Sequence, residues 1–354
     1  MAWAAVIPRL RAPDLRDRRV GLIALMAALA AILFFAELAY GPVRLSFGEI
    51  ADAAIGRAEP QAAVIFNEIR LPRALLATVI GVALGLSGAC LQGVLRNPLA
   101  DPGLIGVSAG ATVGAVSVIV LGEALIGGAP MEARPWLLPL AAFVGAAATT
   151  GFVFLIARRR GGVSVTTVIL AGVAVNAVAG AYVGVMVYIS NDAQLRELTF
   201  WTMGSLGGAR WDVVAPTLLL AAPAALFLAR RARALDLFQL GERAAWHSGL
   251  DVEREKRRIG LTTALAIGGA TAAAGPIGFI GLVAPHIGRL LVGPGHGAVL
   301  PAAALTGAAL TLGADLLSRT AVPPAEPPIG LATALIGGPF FLWLIISRAG
   351  RGDD

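Results

Sequence analysis

Residues 71–95 read LPRALLATVIGVALGLSGACLQGVL, and residues 96–103, RNPLADPG, follow directly. The first segment carries no charged side chain after Arg73. A bilayer core about 30 Å thick requires roughly 20 apolar residues per helix, so this segment is predicted to span a membrane. Pro98 and Pro102 prevent the helix from continuing through the second segment. Together the two segments predict a membrane helix that ends in a tight turn.

The composition extends this prediction to the whole chain. Hydrophobic residues make up 57% of the 354 residues, 44 are Gly, and only 14% are charged, against about 25% charged residues in a soluble protein. A soluble enzyme, a disordered chain and a coiled coil are therefore excluded. The net charge is +6, but the basic residues lie between apolar runs, so no nucleic-acid partner is predicted. Cys90 stands alone and cannot form a disulfide within the chain.

Ten apolar stretches are long enough, or nearly long enough, to cross a bilayer. The predicted fold class is therefore all-α, a polytopic integral membrane protein of about ten transmembrane helices in a single domain over residues 1–354. The eighth stretch is short and contains Pro285, so a broken or tilted element is expected there. The stretches lie near residues 20–40, 71–95, 103–121, 135–157, 166–189, 212–230, 259–275, 279–292, 298–318 and 329–347.

The basic residues also predict the orientation in the membrane. With ten spans and the N-terminus inside, 20 of the 28 basic residues fall on the cytoplasmic side, as the positive-inside rule requires. Residues 1–19 are then a cytoplasmic N-terminal segment, residues 231–258 are the longest cytoplasmic loop, and both termini are cytoplasmic. A signal peptide is the alternative for the first stretch, but the stretch is longer than the usual 7–15 residues and no small-x-small cleavage site follows it.

Small residues recur every fourth position in three of the predicted spans. Such ridges allow helix backbones to approach closely, and a wall along a substrate path is the alternative interpretation. Asn176 lies on the third ridge and favours a protein-facing or water-facing side over lipid. The ridges are Gly81, Gly85 and Ala89; Gly106, Gly110 and Gly114; and Gly172, Asn176, Gly180 and Gly184, of which the last group is the candidate translocation path.

No Asp, Glu, Lys or Arg residue lies in the middle of a predicted span. Glu37, Asp315 and Arg319 lie near the outer ends, where Asp315 and Arg319 have the i,i+4 spacing of an ion pair. A charge at the bilayer centre costs at least about 2.5–3.5 kcal/mol, and ion-coupled transporters usually keep such a group there. The driving force for transport is therefore expected to come from outside this chain, although an ion-coupled secondary transporter remains an alternative.

Two further segments suggest specific roles. Within residues 235–249 the pattern favours a short amphipathic helix closed by Gly249, which either lies on the anionic membrane leaflet or docks a cytoplasmic partner. Residues 106–110 match G-x-S-x-G around Ser108, so an intramembrane serine protease is a remote alternative. There is no P-loop, and the three histidines do not predict a metal site.

The motifs together resemble the FecCD/BtuC-type permeases of ABC importers. In order along the chain they are Arg70-Leu71-Pro72-Arg73, residues 88–93 (GACLQG), residues 96–108 (RNPLADPGLIGVS), residues 240–245 (LGERAA), residues 278–286 (GFIGLVAPH) and Pro328-Ile329-Gly330. The resemblance implies a BtuC-like, type II import permease of the bacterial inner membrane. It also implies a homodimer of permease subunits, with two ATPase subunits below and a periplasmic substrate-binding protein above. The chain itself is then not an enzyme and binds no cofactor, while ATP and Mg belong to the partner ATPase.

The resemblance also assigns roles to individual residues. The ATPase-coupling element contains Leu240, Gly241, Glu242, Arg243 and Ala244. The cytoplasmic gate contains Asn97, Leu99, Ser164, Thr166 and Thr167. Arg70, Arg73 and Arg319, which the topology places outside, are expected to receive acidic residues of the binding protein; anchoring of the helix ends is the alternative for each.

Family members import haem, ferric siderophores or cobalamin, and residues 199–208 (TFWTMGSLGG) favour haem, with the other two as alternatives. Four side chains are candidate haem contacts, each with helix packing as the alternative role: Tyr182, Met186, Tyr188 and Met203.

Overall fold

The computed structural model describes residues 15–128, 130, 133–159, 162–322 and 325–349, so residues 1–14 of the predicted N-terminal segment lie outside the described residues. The α-helices are α1 (Leu15–Ala39), α2 (Phe47–Ala54), α3 (Pro60–Val64), α4 (Leu71–Leu95), α5 (Val107–Ile126), α6 (Arg134–Ala157), α7 (Val165–Ile189), α8 (Asp192–Thr202), α9 (Trp211–Ala229), α10 (Ala232–Gln239), α11 (Glu242–His247), α12 (Val252–Ala274), α13 (Ile280–Val292), α14 (His296–Ala321) and α15 (Ile329–Ala349).

The all-α prediction is confirmed, and each of the ten predicted spans coincides with a helix. Within the described residues, six helical segments are long and apolar enough to cross a membrane, and three shorter apolar helices accompany them. The helix α13 contains Pro285 and runs without interruption for 13 residues. The eighth span is therefore short rather than broken, and it begins directly after Phe279, whose φ is 68°. The helices that coincide with the ten predicted spans are α1, α4, α5, α6, α7, α9, α12, α13, α14 and α15.

Several short elements have no counterpart in the predicted spans. These are α2, α3, α8 and a π-helical turn over Ile65–Arg70. The first residues of the predicted third span form a 3-10 helix over Pro102–Ile105, and α5 begins only at Val107. A two-residue antiparallel hairpin also pairs Arg158 with Val163. The helices α2 and α8 each begin with a capping box, a local signal that hydropathy does not detect.

The helix α4 lies at the centre of the bundle and is buried along most of its length. It packs against α14, α9, α12 and α13. A Cβ added to Gly85 would overlap the carbonyl of Ala303 on α14, and one added to Gly88 would overlap Gly281 on α13. The small residues of α4 therefore allow backbone-to-backbone packing, as the first interpretation of the ridges requires.

Candidate translocation path, gate and coupling surface

The small residues of α7 differ from those of α4 and α5. A Cβ added to Gly114 on α5 would overlap the Ala141 carbonyl of α6, whereas Gly180 and Gly184 on α7 have open space in that direction. Gly172 is buried and lies on the same ridge. Packing within this chain therefore explains the glycines of α5 but not the two outer glycines of α7.

Asn176 joins α7 to the segment that precedes α5. Its Nδ2 donates a hydrogen bond to the Gly103 carbonyl, 3.2 Å away, in the 3-10 helix. The side chain thus satisfies an internal acceptor. This contact accounts for its polar character, and it places the start of α5 beside the middle of α7.

An apolar groove runs between α5, α6 and α7. Its volume is about 890 Å³, within the range of small-ligand sites. Val113, Phe152 and Val178 are among its apolar walls, while Thr149, Thr167 and Tyr182 supply the hydroxyl groups.

The four candidate haem contacts are not equivalent in the structure. The Tyr182 hydroxyl lies 2.7 Å from Ser117 Oγ of α5, so it has an internal partner. Met186 is buried against α5 and α8. Tyr188 and Met203 are exposed and remain accessible to a ligand.

The predicted gate residues form two separate local structures. In the gate loop, residues 96–101, the Leu99 backbone N–H donates to Asn97 Oδ1 at 2.9 Å, and the Leu99 side chain is exposed. Ser164 caps the start of α7, where its Oγ accepts from the Thr167 backbone N–H at 3.3 Å and from the Thr167 hydroxyl at 3.0 Å. Thr166 is exposed one residue earlier. The gate assignment stays a prediction.

Asp101 ends the gate loop and fixes the turn into the 3-10 helix. Its Oδ1 accepts a hydrogen bond from the Gly103 N–H at 2.7 Å. Burial raises the pKa of the Asp101 carboxyl, and the hydrogen bond from Gly103 only partly offsets this effect.

The short helix expected within residues 235–249 and closed by Gly249 corresponds to α11, and a second helix, α10, precedes it; we call α10 and α11 together the coupling module. Gly241 joins them with φ 102°, a conformation that favours glycine. Gly249 follows α11 with φ 84°, as predicted for the residue that ends the segment.

One face of the coupling module is buried and the other is exposed. Leu235, Phe238 and Ala245 pack inward, whereas Leu240 is 70% exposed and Trp246 is 65% exposed. Arg243 lies on the exposed side. Exposed apolar groups beside a charged group are typical of a protein interface.

Polar contacts fix the coupling module to the membrane helices. Asp236 Oδ1 accepts from the His296 backbone N–H at 2.9 Å and lies 2.7 Å from Nδ1 of the same residue, at the start of α14. On α12, Lys256 Nζ lies 2.8 Å from Glu242 Oε1. Glu242 is therefore directed towards the bundle, while Arg243 is free to meet a partner.

The three arginines expected to receive the binding protein lie in a buried cluster. Arg70 is 3% exposed, Arg73 8% and Arg319 4%. The chain supplies acceptors for all three guanidinium groups, so each of them is paired internally. The expected contact with the binding protein stays a prediction.

Arg73 and Asp315 are at the centre of this outer cluster. Arg73 Nε and Nη2 lie 2.8 and 2.9 Å from the two oxygens of Asp315, and Nη1 lies 2.8 Å from Glu326 Oε2. Arg319 pairs with Glu37 and approaches Asp315 at 3.6 Å, which confirms the predicted i,i+4 pair. The cluster joins α1, α4, α14 and the segment before α15.

Arg70 completes the outer cluster through backbone acceptors. Its Nη1 donates to the Leu38 carbonyl at 2.6 Å, and its Nη2 donates to the carbonyl of Val43. The sequence does not reveal the side-chain contacts of Arg73, because its partners lie more than 240 positions away.

The long apolar helices of the described residues, an open small-residue face and an exposed coupling module define a multi-pass membrane transport protein. Residues 29–347 match the FecCD transport family, and the chain belongs to this family. It is the permease subunit of an ABC importer, a non-catalytic transmembrane component that works with an ATPase and a binding protein. The secondary-transporter and serine-protease alternatives are therefore wrong.

Similar proteins agree with this assignment. The hemin transport system permease protein HmuU of Yersinia pestis is 46% identical over 288 residues, which cover 80% of this chain and 84% of that protein. The cobalamin import system permease protein BtuC of Halobacterium salinarum is 41% identical over 290 residues, covering 82% and 75%. A solved structure described as an inward-facing metal-chelate type ABC transporter has a TM-score of 0.82 and 29% identity, covering 93% of this chain and 99% of that one.

Proposed function

We propose that this chain is the permease through which haem enters the cell. The observation that carries the proposal is the 46% identity to a hemin permease over 80% of the chain. The open face at Gly180 and Gly184 and the apolar groove beside it supply smooth, apolar surfaces. Such surfaces suit a large, flat, mostly apolar ligand that is passed along rather than held.

Cobalamin is the second candidate substrate. It is favoured by the 41% identity to a cobalamin permease over 82% of the chain. Ferric siderophores, the third candidate, are supported by the likeness to a metal-chelate type transporter.

We infer further that two copies of this chain pair in the bacterial inner membrane, with both termini in the cytoplasm. Two ATPase subunits, which bind ATP and Mg, would then dock on the two coupling modules, and a periplasmic binding protein would dock on the opposite side. The distribution of basic residues supports this orientation, and the exposed Leu240 and Trp246 support the ATPase contact.

Within this assembly the residues have distinct proposed roles. Leu240, Gly241, Arg243 and Ala244 form the ATPase contact, and Glu242 orients it. Asn97, Leu99, Ser164, Thr166 and Thr167 form the cytoplasmic gate. Gly180 and Gly184 line the path, while Gly172 and Asn176 position α7. Arg70, Arg73 and Arg319 position the outer helix ends, and a contact with the binding protein would require their cluster to open.

The substrate assignment is tested by ATP hydrolysis in the reconstituted complex. The assembled permease and ATPase are incubated with binding protein loaded with hemin, with a ferric siderophore or with cyanocobalamin. We expect hemin-loaded binding protein to give the largest stimulation of hydrolysis. Stimulation by cyanocobalamin alone would assign the chain to cobalamin instead.

A further inference from the structure

The last turn of α4 is contacted by the coupling module on one side. Gln239, the last residue of α10, donates from Nε2 to the Gly93 carbonyl at 3.1 Å. The final carbonyls of a helix lack intrahelical partners, and the backbone N–H of Arg96 approaches this one only at 3.4 Å. A side chain of the coupling module therefore caps the end of the central helix.

The packing at this point leaves no space between α4 and the coupling module. A Cβ added to Gly93 would lie 2.9 Å from Leu235 Cδ2 and 3.0 Å from His296 Nε2. Such contacts are closer than neighbouring side chains normally accept. A shift of α10 towards the membrane would therefore push directly on the end of α4.

The gate loop contacts the same turn of α4 from the other side. Gln92, the residue before Gly93, is 3% exposed. Its Nε2 donates to the Ala100 carbonyl at 3.3 Å, and its Oε1 accepts from Arg289 Nη1 of α13 at 2.8 Å. Its backbone carbonyl accepts from the Asn97 N–H at 3.1 Å. Gln92 thus holds both ends of the gate loop and joins them to α13.

We propose that Gln239 and Gln92 are the two positioning residues that join the coupling module to the gate loop through the last turn of α4. A displacement of α10 by the ATPase then reaches Asn97 and Ala100 through two adjacent residues of one helix. The inference rests on the coupling and gate assignments of the proposed function. It does not depend on which substrate is transported.

The first experiment measures uptake and ATP hydrolysis in the same proteoliposomes, with the complete complex and hemin as the probe. Gln239→Met and Gln92→Met keep the side-chain length but remove the amide. We expect hydrolysis to continue while hemin imported per ATP falls about two- to ten-fold in Gln239→Met, the range for loss of one neutral hydrogen bond. In Gln92→Met the fall should be at least as large, because this variant also removes the acceptor for Arg289.

Gln92→Glu separates the two contacts of Gln92, because a carboxylate still accepts from Arg289 but no longer donates to Ala100. We expect it to uncouple transport as Gln92→Met does. The matched control is Gln194→Met, since Gln194 Nε2 also donates to a backbone carbonyl, that of Val120, at 3.1 Å. Equal hemin-to-ATP ratios in Gln239→Met, Gln92→Met, Gln194→Met and the unchanged protein would overturn the proposal.

A second experiment does not require hemin transport, so it distinguishes a wrong junction from a wrong substrate. Leu99→Cys places a thiol at an exposed position of the gate loop, while the natural Cys90 is fully buried. The rate of maleimide labelling is compared with and without bound ATPase. We expect ATPase binding to change the rate in the Leu99→Cys protein, and expect this response to disappear when Gln239→Met is added. A response that persists in the double variant overturns the proposal even if hemin is not the substrate.

Discussion

Glu242 of α11 forms an ion pair with Lys256 of α12, with Oε1 and Nζ 2.8 Å apart. Lys256 is the single lysine of the chain, is 5% exposed, and also lies 3.4 Å from Glu253. Leaving a buried ammonium group without its carboxylate partners is costly. Glu242 therefore orients α11, and its neighbour Arg243 is directed away from the bundle.

The two neighbouring charges are expected to respond differently to reversal. Arg243→Glu should weaken ATPase binding about ten-fold or more without changing the melting temperature of the isolated permease, because Arg243 is exposed. Glu242→Lys should lower that melting temperature, because it places a second cation beside Lys256. Pull-down of the ATPase and thermal melting in detergent measure the two effects. Equal melting temperatures for both variants would show that the internal pair has no orienting role.

Leucine substitutions at glycines distinguish the path from packing. Gly180→Leu should leave stability unchanged or slightly increased, because the added side chain meets open space and leucine favours helix, but it should reduce uptake strongly. Gly114→Leu is the matched control and should destabilise the chain by about 1–3 kcal/mol or more through overlap with Ala141. Unchanged uptake by Gly180→Leu would remove Gly180 from the path.

The outer cluster should be a stability determinant. Asp315→Asn leaves Arg73 and Arg319 without their shared carboxylate, and breaking a buried pair costs about 3–5 kcal/mol. Arg57→Met, an exposed position, is the control and should have little effect. Unfolding in denaturant provides the comparison. If both variants unfold alike, the buried cluster does not hold the helix ends together.

Asp101 predicts a dependence of stability on pH. Because its carboxyl pKa is raised by burial, the folded state binds the proton more tightly than the unfolded state. Protonation of Asp101 therefore stabilises the folded state. This stabilisation is complete below about pH 4, the usual Asp pKa, and is lost as the pH rises through the raised pKa of the folded state. Asp101→Asn keeps an acceptor for Gly103 and should lack this pH dependence. Melting temperatures of Asp101→Asn and of the unchanged protein are measured from acid to neutral pH. The same pH dependence in both proteins would show that Asp101 does not cause it.

Hydropathy was sufficient to place a helix at each of the ten predicted spans because most of them contain a long apolar run, and the runs around Leu84 and Leu312 are buried between helices. It missed α2 and α8 because these helices are short. Their signals are local instead, as in Ser46, whose Oγ accepts from the Glu49 backbone N–H at 3.2 Å. The pair Asp315 and Arg319 was predictable from its four-residue spacing.

Other parts of the candidate site required three-dimensional structure. Arg73 meets Asp315 across 242 positions of sequence, and a local pattern does not encode such a partner. The four-residue ridges of α5 and α7 look alike in sequence, yet only the neighbours in space show that Gly114 is packed and Gly180 is open. Likewise, only the three-dimensional structure shows that the residues at the end of α4 pack against the coupling module.

ATP-driven import of haem by this permease is measured as uptake of hemin into proteoliposomes. The vesicles contain the permease and ATPase with ATP on the ATPase side, and the binding protein is supplied outside. We expect hemin accumulation that requires ATP and that an excess of cyanocobalamin does not reduce. Accumulation of cyanocobalamin without hemin, or hemin uptake on an ion gradient with no ATPase present, would contradict this expectation.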